Sequence, residues 1–189
     1  MQTAEISVFS GADYLAWEEL QEDKYEYYQG DVFAMGGARR EHVVVAGNFF
    51  ATLKQHLRGT PCQAYISDMK LRIESVDAYF FPDVMVSCST QDQQAEQFLT
   101  SPTLIVEVLS DSTEAFDRGA KFAAYRQLPS LKEYILVDIK AQRVESYRRT
   151  EAEDWLLHIS EGNVTCDIVS LEFAIELVDI FEGIAVHQQ

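Results

Sequence analysis

Leu104-Ile105-Val106-Glu107-Val108-Leu109 sets one carboxylate inside a branched aliphatic run, and Pro82-Asp83-Val84-Met85-Val86 sets another at the head of a second run. Short runs rich in Val, Ile and Leu read as buried strands. A charge in such a place is expensive, so each acid needs a cation, a proton or a metal ion as its partner. One Mg²⁺ shared between neighbouring strands would satisfy both, because this ion takes oxygen ligands and often only one or two carboxylates from the protein. Two plainer accounts fit the same residues: Glu107 pairs with an arginine or with Lys121, and Asp83 caps a strand after Pro82.

Outward from these runs the chain alternates helix and strand signals. Ser10 can cap a short helix through Glu19, and Gly30-Asp31 forms a hairpin turn between Tyr25, Tyr27 and Val32, Phe33, Met35. From Arg40 to Leu57 the residues Val43, Ala46, Phe49, Phe50, Leu53 and Leu57 recur at helical spacing, and Gly59 with Pro61 ends the run. Gln63 to Ser67, Met69 to Ile73, Val84 to Ser87 and Leu104 to Leu109 are expected to form one central sheet. Asp111-Ser112-Thr113-Glu114 starts a helix that runs to about Leu128, before Pro129, and Tyr134 to Val137 is a further buried strand. Arg143 to Arg148, Trp155 to Ile159 and Val164 to Ile168 alternate like antiparallel strands ahead of a terminal helix around Ala174 to Phe181. The pattern predicts an α/β domain of the α+β kind, with helices flanking a mixed sheet.

The 189 residues, 47% of them hydrophobic, suffice for a core without staples, and nothing marks a boundary, so one domain spanning residues 1–189 is expected. Cys62, Cys88 and Cys166 are odd in number and lack metal spacing, which reads as reduced, mostly buried thiols. Residues 1–10 lack the basic start and apolar run of a leader, and no segment is long enough to span a membrane. A cytoplasmic protein without membrane contact is expected. The net charge of −16 works against a polyanionic partner. Bound Mg²⁺ and a local group of Arg39, Arg40, Lys54, Lys121 and Arg126 would be needed to make one positive cleft.

An ordered set of motifs carries a resemblance. Tyr25-Glu26-Tyr27-Tyr28-Gln29-Gly30-Asp31 with Met35 is followed by Glu41-His42, Pro82-Asp83-Val84 and Val106-Glu107-Val108-Leu109-Ser110-Asp111-Ser112-Thr113. Asp117-Arg118-Gly119-Ala120-Lys121, Tyr125 and Glu133-Tyr134-Ile135-Leu136-Val137-Asp138 complete it. The chain resembles the Uma-type restriction endonucleases, a branch of the PD-(D/E)XK nuclease superfamily, over nearly its whole length to Asp138. The resemblance implies a restriction-endonuclease-like fold, a Mg²⁺ or Mn²⁺ ion on Asp83 and Glu107, and hydrolysis of DNA phosphodiester bonds with a lysine near the scissile phosphate. Leu109 stands where the superfamily lysine is expected, and Lys121 on the following helix is its displaced counterpart.

Lys121 could instead pair with Asp117 four residues earlier; as a site lysine it should matter for cleavage rate and little for folding. His42 matches the histidine of the family helix, although such a residue alone is more often a satisfied histidine at the core edge. Glu41 and, behind it, Glu26 are candidates for a third acid. Tyr25, Tyr27 and Tyr28 read as hairpin packing rather than base-stacking residues. A homodimer suits an enzyme that cuts two strands. The alternative, favoured by the charge and by Leu109, is a catalytically inactive nuclease fold serving as a nucleic-acid-binding or protein-interaction module.

Overall fold

The computed structural model describes residues 9–185, so most of the stretch read above as lacking a leader lies outside the described residues. Helix α1 (Gly11–Glu18) opens on a capping box in which the Ser10 and Asp13 side chains each bond the other's backbone N–H. The hairpin β1 (Tyr25–Tyr28) and β2 (Asp31–Ala34) turns at Gln29 and Gly30, with φ of 51° and 98°. Both central residues of a type I′ hairpin turn need positive φ, so Gln29 bears a strain that Gly30 does not. Helix α2 (Arg40–His56) buries Val45, Ala46, Phe49 and Leu53.

Six strands follow: β3 (Gln63–Ile66), β4 (Lys70–Ile73), β5 (Ala78–Phe80), β6 (Val84–Ser87), β7 (Phe98–Leu99) and β8 (Pro102–Val108). The expectation that the segments near 63–67, 69–73, 84–87 and 104–109 share one sheet fails for β4. Ser67, at φ 50°, turns the chain out of the sheet, and β4 pairs with β5 in a five-stranded sheet ordered β2-β1-β5-β4-β7. Strand β5 has no alternation to announce it, because Ala78-Tyr79-Phe80-Phe81 is apolar throughout.

The helical stretch after β8 is not one regular α-helix. It consists of α3 (Glu114–Phe116), a π-helical turn (Asp117–Lys121) and α4 (Phe122–Tyr125). Then come β9 (Glu133–Asp138), β10 (Arg143–Arg149), β11 (Trp155–Glu161), β12 (Thr165–Ile168), β13 (Phe173–Glu176) and α5 (Leu177–Ile180). The first half of the expected terminal helix is therefore β13, which pairs with β12.

The central sheet is mixed, ordered β11-β10-β9-β8-β6-β3, antiparallel throughout except for β8 with β9. Val84, Val86, Val106 and Ile135 on one face pack against Val45, Phe49 and Leu53 of α2 and against Ile180 of α5. Met85, Ile105, Tyr134 and Leu136 on the other face pack with Ala124 and Tyr125 and with Leu71 and Phe80 of the five-stranded sheet. Two acids at the junction of the two sheets are thus set into apolar surroundings. No helix among the described residues is long and apolar enough to cross a membrane.

The reading of three reduced thiols is corrected. Cys62 and Cys88 form a disulfide, and only Cys166, which is buried, is free. The register of β3 on β6 explains it: Gln63 faces Ser87, so one residue further out Cys62 meets Cys88. Sequence separation hid a pairing that only the strand register reveals.

Candidate active site

The chain passes from one sheet to the other at Phe81-Pro82-Asp83. Pro82 has no N–H for either ladder, and the Glu26 carboxylate accepts the Phe81 N–H at 2.9 Å, which pins the crossover. Val84 faces Val106 in the register, so Asp83 falls opposite Glu107 on the neighbouring strand, and facing residues of an antiparallel pair share a side of the sheet. Each acid is tied to the other's strand. Asp83 Oδ2 accepts the Val108 N–H at 2.8 Å, and Glu107 Oε2 accepts the Asp83 N–H at 3.2 Å.

The remaining contacts fix the two side chains. His42 Nε2, in the first turn of α2, lies 2.9 Å from Asp83 Oδ1. The Tyr125 hydroxyl donates to Glu107 Oε1 at 2.7 Å. Lys121 Nζ stands 3.0 Å from both Glu107 and Glu26 and 3.6 Å from Asp117. The π turn sets Asp117 and Lys121 at its two ends, both buried.

Burial pushes the Glu107 carboxyl up to about 8, against the pull of Lys121 and with help from the nearby Asp83, Asp117 and Glu26 charges. Burial also opposes the Lys121 charge, but Glu107, then Glu26 and Asp117, outweigh it and hold the ammonium proton above the ordinary lysine range. For His42 burial favours the neutral ring, yet the hydrogen bond to Asp83 and the charges of Asp83 and Asp117 raise it. Four carboxyl groups, of which Glu107 alone is raised as far as about 8, therefore face one ammonium and one imidazole. The site carries more negative charge than its cations offset.

A divalent cation fits this donor set. Each Asp83 oxygen and Glu107 Oε2 accepts one hydrogen bond, which leaves a lone pair on each. The donors are hard oxygens, and the excess negative charge favours a small dication. No group of three or more His, Cys, Asp or Glu side chains among the described residues forms a ready-made cage, so a bound ion would keep water or substrate oxygens in its shell.

An open cleft of about 1250 Å³ lies over these groups. Glu41 lines its wall, as do His42, Asp83, Glu107 and Lys121. Of the cations expected to make it positive, Arg39 and Lys121 line it. Arg40 instead bonds the Gly183 carbonyl, Lys54 lies over Phe50 and Arg126 over Phe122. With Lys24 and Lys140 the lining holds fewer cations than acids, so it is not the basic groove expected of a nucleic-acid binder.

Three residues matter more than the sequence suggested. Glu26, placed behind Glu41 on sequence grounds, is buried against Lys121, and Asp117 and Tyr125 belong to the same cluster. Alternation along β1 reads as a hairpin with Glu26 in solvent, whereas Glu26 and Tyr27 are both buried. The expectation that Lys121 matters little for folding conflicts with its burial among three carboxylates. Tyr27 is buried and stacks on Tyr14 at 5.2 Å, the packing role expected of it.

The Uma2 family model, described as "putative restriction endonuclease", matches residues 12–177. An uncharacterized Synechocystis protein, slr1290, is 37% identical over 97% of this chain and 96% of its own length. A second, sll1609, is 35% identical over 83% of this chain and 90% of its own. The crystal structure of an Anabaena variabilis protein described as a "putative nuclease belonging to DUF820" is similar in fold, with a TM-score of 0.75. It shares 15% identity and covers 91% of this chain and 97% of that one.

Proposed function

Since the chain belongs to the Uma2 family of restriction-endonuclease-like proteins, we propose that it is a metal-dependent endonuclease that hydrolyses DNA phosphodiester bonds. The observation that carries this reading is the facing of Asp83 and Glu107 across β6 and β8 at the floor of an open cleft. Asp83 and Glu107 would hold the ion, Mg²⁺ or Mn²⁺. When bound, it would polarise a phosphate oxygen and offset the charge that gathers in the transition state. His42 orients Asp83 through their hydrogen bond, and Tyr125 does the same for Glu107. Lys121 sets the charge of the carboxylate cluster and is the cation nearest the phosphate in this reading. Glu41, on the cleft wall, is the candidate for a third acid beside the ion.

The decisive assay incubates single- and double-stranded DNA and RNA with the protein in Mg²⁺ or Mn²⁺, beside Asp83→Ala and Glu107→Gln. Metal-dependent cleavage that both variants abolish supports the proposal, and cleavage that survives both overturns it.

One observation favours a second reading. The Lys121 ammonium is already occupied by three carboxylates, which suits a non-catalytic module, and the acidic cleft suits a protein partner better than a nucleic acid. Binding without cleavage, equal in wild type and Asp83→Ala, would favour it.

A further inference from the structure

Strand β11 ends the six-stranded sheet, and no strand among the described residues pairs with its outer side. Edge strands are ordinarily kept from joining other chains by lysine, proline, a bulge or short length. Trp155-Leu156-Leu157-His158-Ile159-Ser160-Glu161 has none of these: it spans seven residues without Lys or Pro and pairs with β10 without a register break. Leu156, Leu157 and Ile159 are 54%, 46% and 55% exposed. The opposite edge, β3, has only four residues and is tied to its inner neighbour β6 by the Cys62–Cys88 bond.

We infer that two copies of this chain join along β11, antiparallel, about a twofold axis through His158. In this register Leu157 of each copy faces Ile159 of the other, and Trp155 faces Glu161. Residues at alternate positions share a face, so both copies contribute to one apolar stripe on the side of the sheet that carries Tyr147.

Avoidance of mismatched neighbours selects this register. Glu161 of one copy, which keeps its own Arg143 at 3.5 Å, comes beside Trp155 of the other, over whose ring Arg149 lies at 4.9 Å while it pairs with Glu153. Sliding the pairing by two residues one way sets Glu161 against Glu153, and the other way sets it against Leu157. The self-complementary sequence makes a second copy the fitting occupant. No residue of β11 lines the cleft, which stays open in both copies.

The test uses the full chain. Sedimentation at micromolar concentration should give twice the monomer mass, and Leu157→Lys with Ile159→Lys should weaken dimerisation at least a hundredfold while leaving the circular dichroism spectrum unchanged. His158→Cys should oxidise to a covalent dimer, since residues facing across an antiparallel pair are close enough for a disulfide. A monomeric wild type, or a dimer that survives the double lysine variant and gives no cross-link at position 158, overturns the inference.

Discussion

Lys121 stands 3.0 Å from Glu107 and 3.0 Å from Glu26, bridging a central strand to the hairpin strand that pins the Phe81 crossover. The lysine is thus part of what holds the two sheets in their relative positions. Removing one partner of a buried charge cluster strands the others, at a cost of about 3–5 kcal/mol. Lys121→Met should lose stability on that order in urea unfolding at pH 7, and less at pH 5, where the stranded carboxylates can take up protons. A loss under about 1 kcal/mol, the range of surface changes, would show that the cluster is not the buried network described.

Glu107 sets a pH dependence for the metal-free protein. Its carboxyl is raised from 4.5 to about 8 in the folded chain, so between those values the native state binds more protons than the unfolded one. Stability therefore falls as pH rises through that window. With chelator present, wild type should lose stability between pH 5 and 8.5, and Glu107→Gln should lose less. Parallel profiles for the two proteins would remove Glu107 as the source.

In the proposed reading His42 acts on the site through Asp83 rather than through the fold. Losing a residue that orients a metal ligand typically costs 10–100-fold in affinity. His42→Ala should raise the Kd for Mn²⁺ by about tenfold or more, and His42→Gln, which keeps an N–H donor, should recover part of it. Isothermal titration calorimetry reads both, and identical affinities in wild type and His42→Ala would refute the orienting role.

The Cys62–Cys88 bond closes a segment of 26 residues. Loop-closure entropy assigns such a bond roughly 3 kcal/mol or slightly more. Adding reductant, or replacing both cysteines by serine, should lower Tm by several degrees and to the same value. Alkylation of the unfolded, non-reduced protein should modify Cys166 alone; modification of all three cysteines would contradict the bond.

The sequence made much of this arrangement legible. Carboxylates inside aliphatic runs, as at Asp83 and Glu107, advertise a polar site in a core, and the period of Ala46, Phe49 and Leu53 marks α2, although Val43, read into the same stripe, is exposed and Val45 is buried in its place. Other features depend on long-range register, which local pattern does not carry. Cys62 meets Cys88 only because β3 pairs with β6, and β4 leaves the central sheet at Ser67. Glu26 looked solvated because its cover comes from Lys121, 95 positions away in sequence (121 minus 26). The π turn at Asp117–Lys121 falls in an ordinary helical pattern, so nothing in the residue spacing announces it.

The most direct test of the metal-site account is thermal unfolding of wild type and Asp83→Asn with and without Mg²⁺ or Mn²⁺. An ion that binds only the folded state stabilises it by RT ln(1 + [L]/Kd), about 2.7 kcal/mol at one hundred times Kd. The account predicts that millimolar metal raises the wild-type Tm and that Asp83→Asn, as stable as wild type without metal or more so, loses most of the response. A wild type indifferent to both ions, together with an Asp83→Asn variant destabilised without metal, would instead make Asp83 the structural partner of His42 and contradict the account.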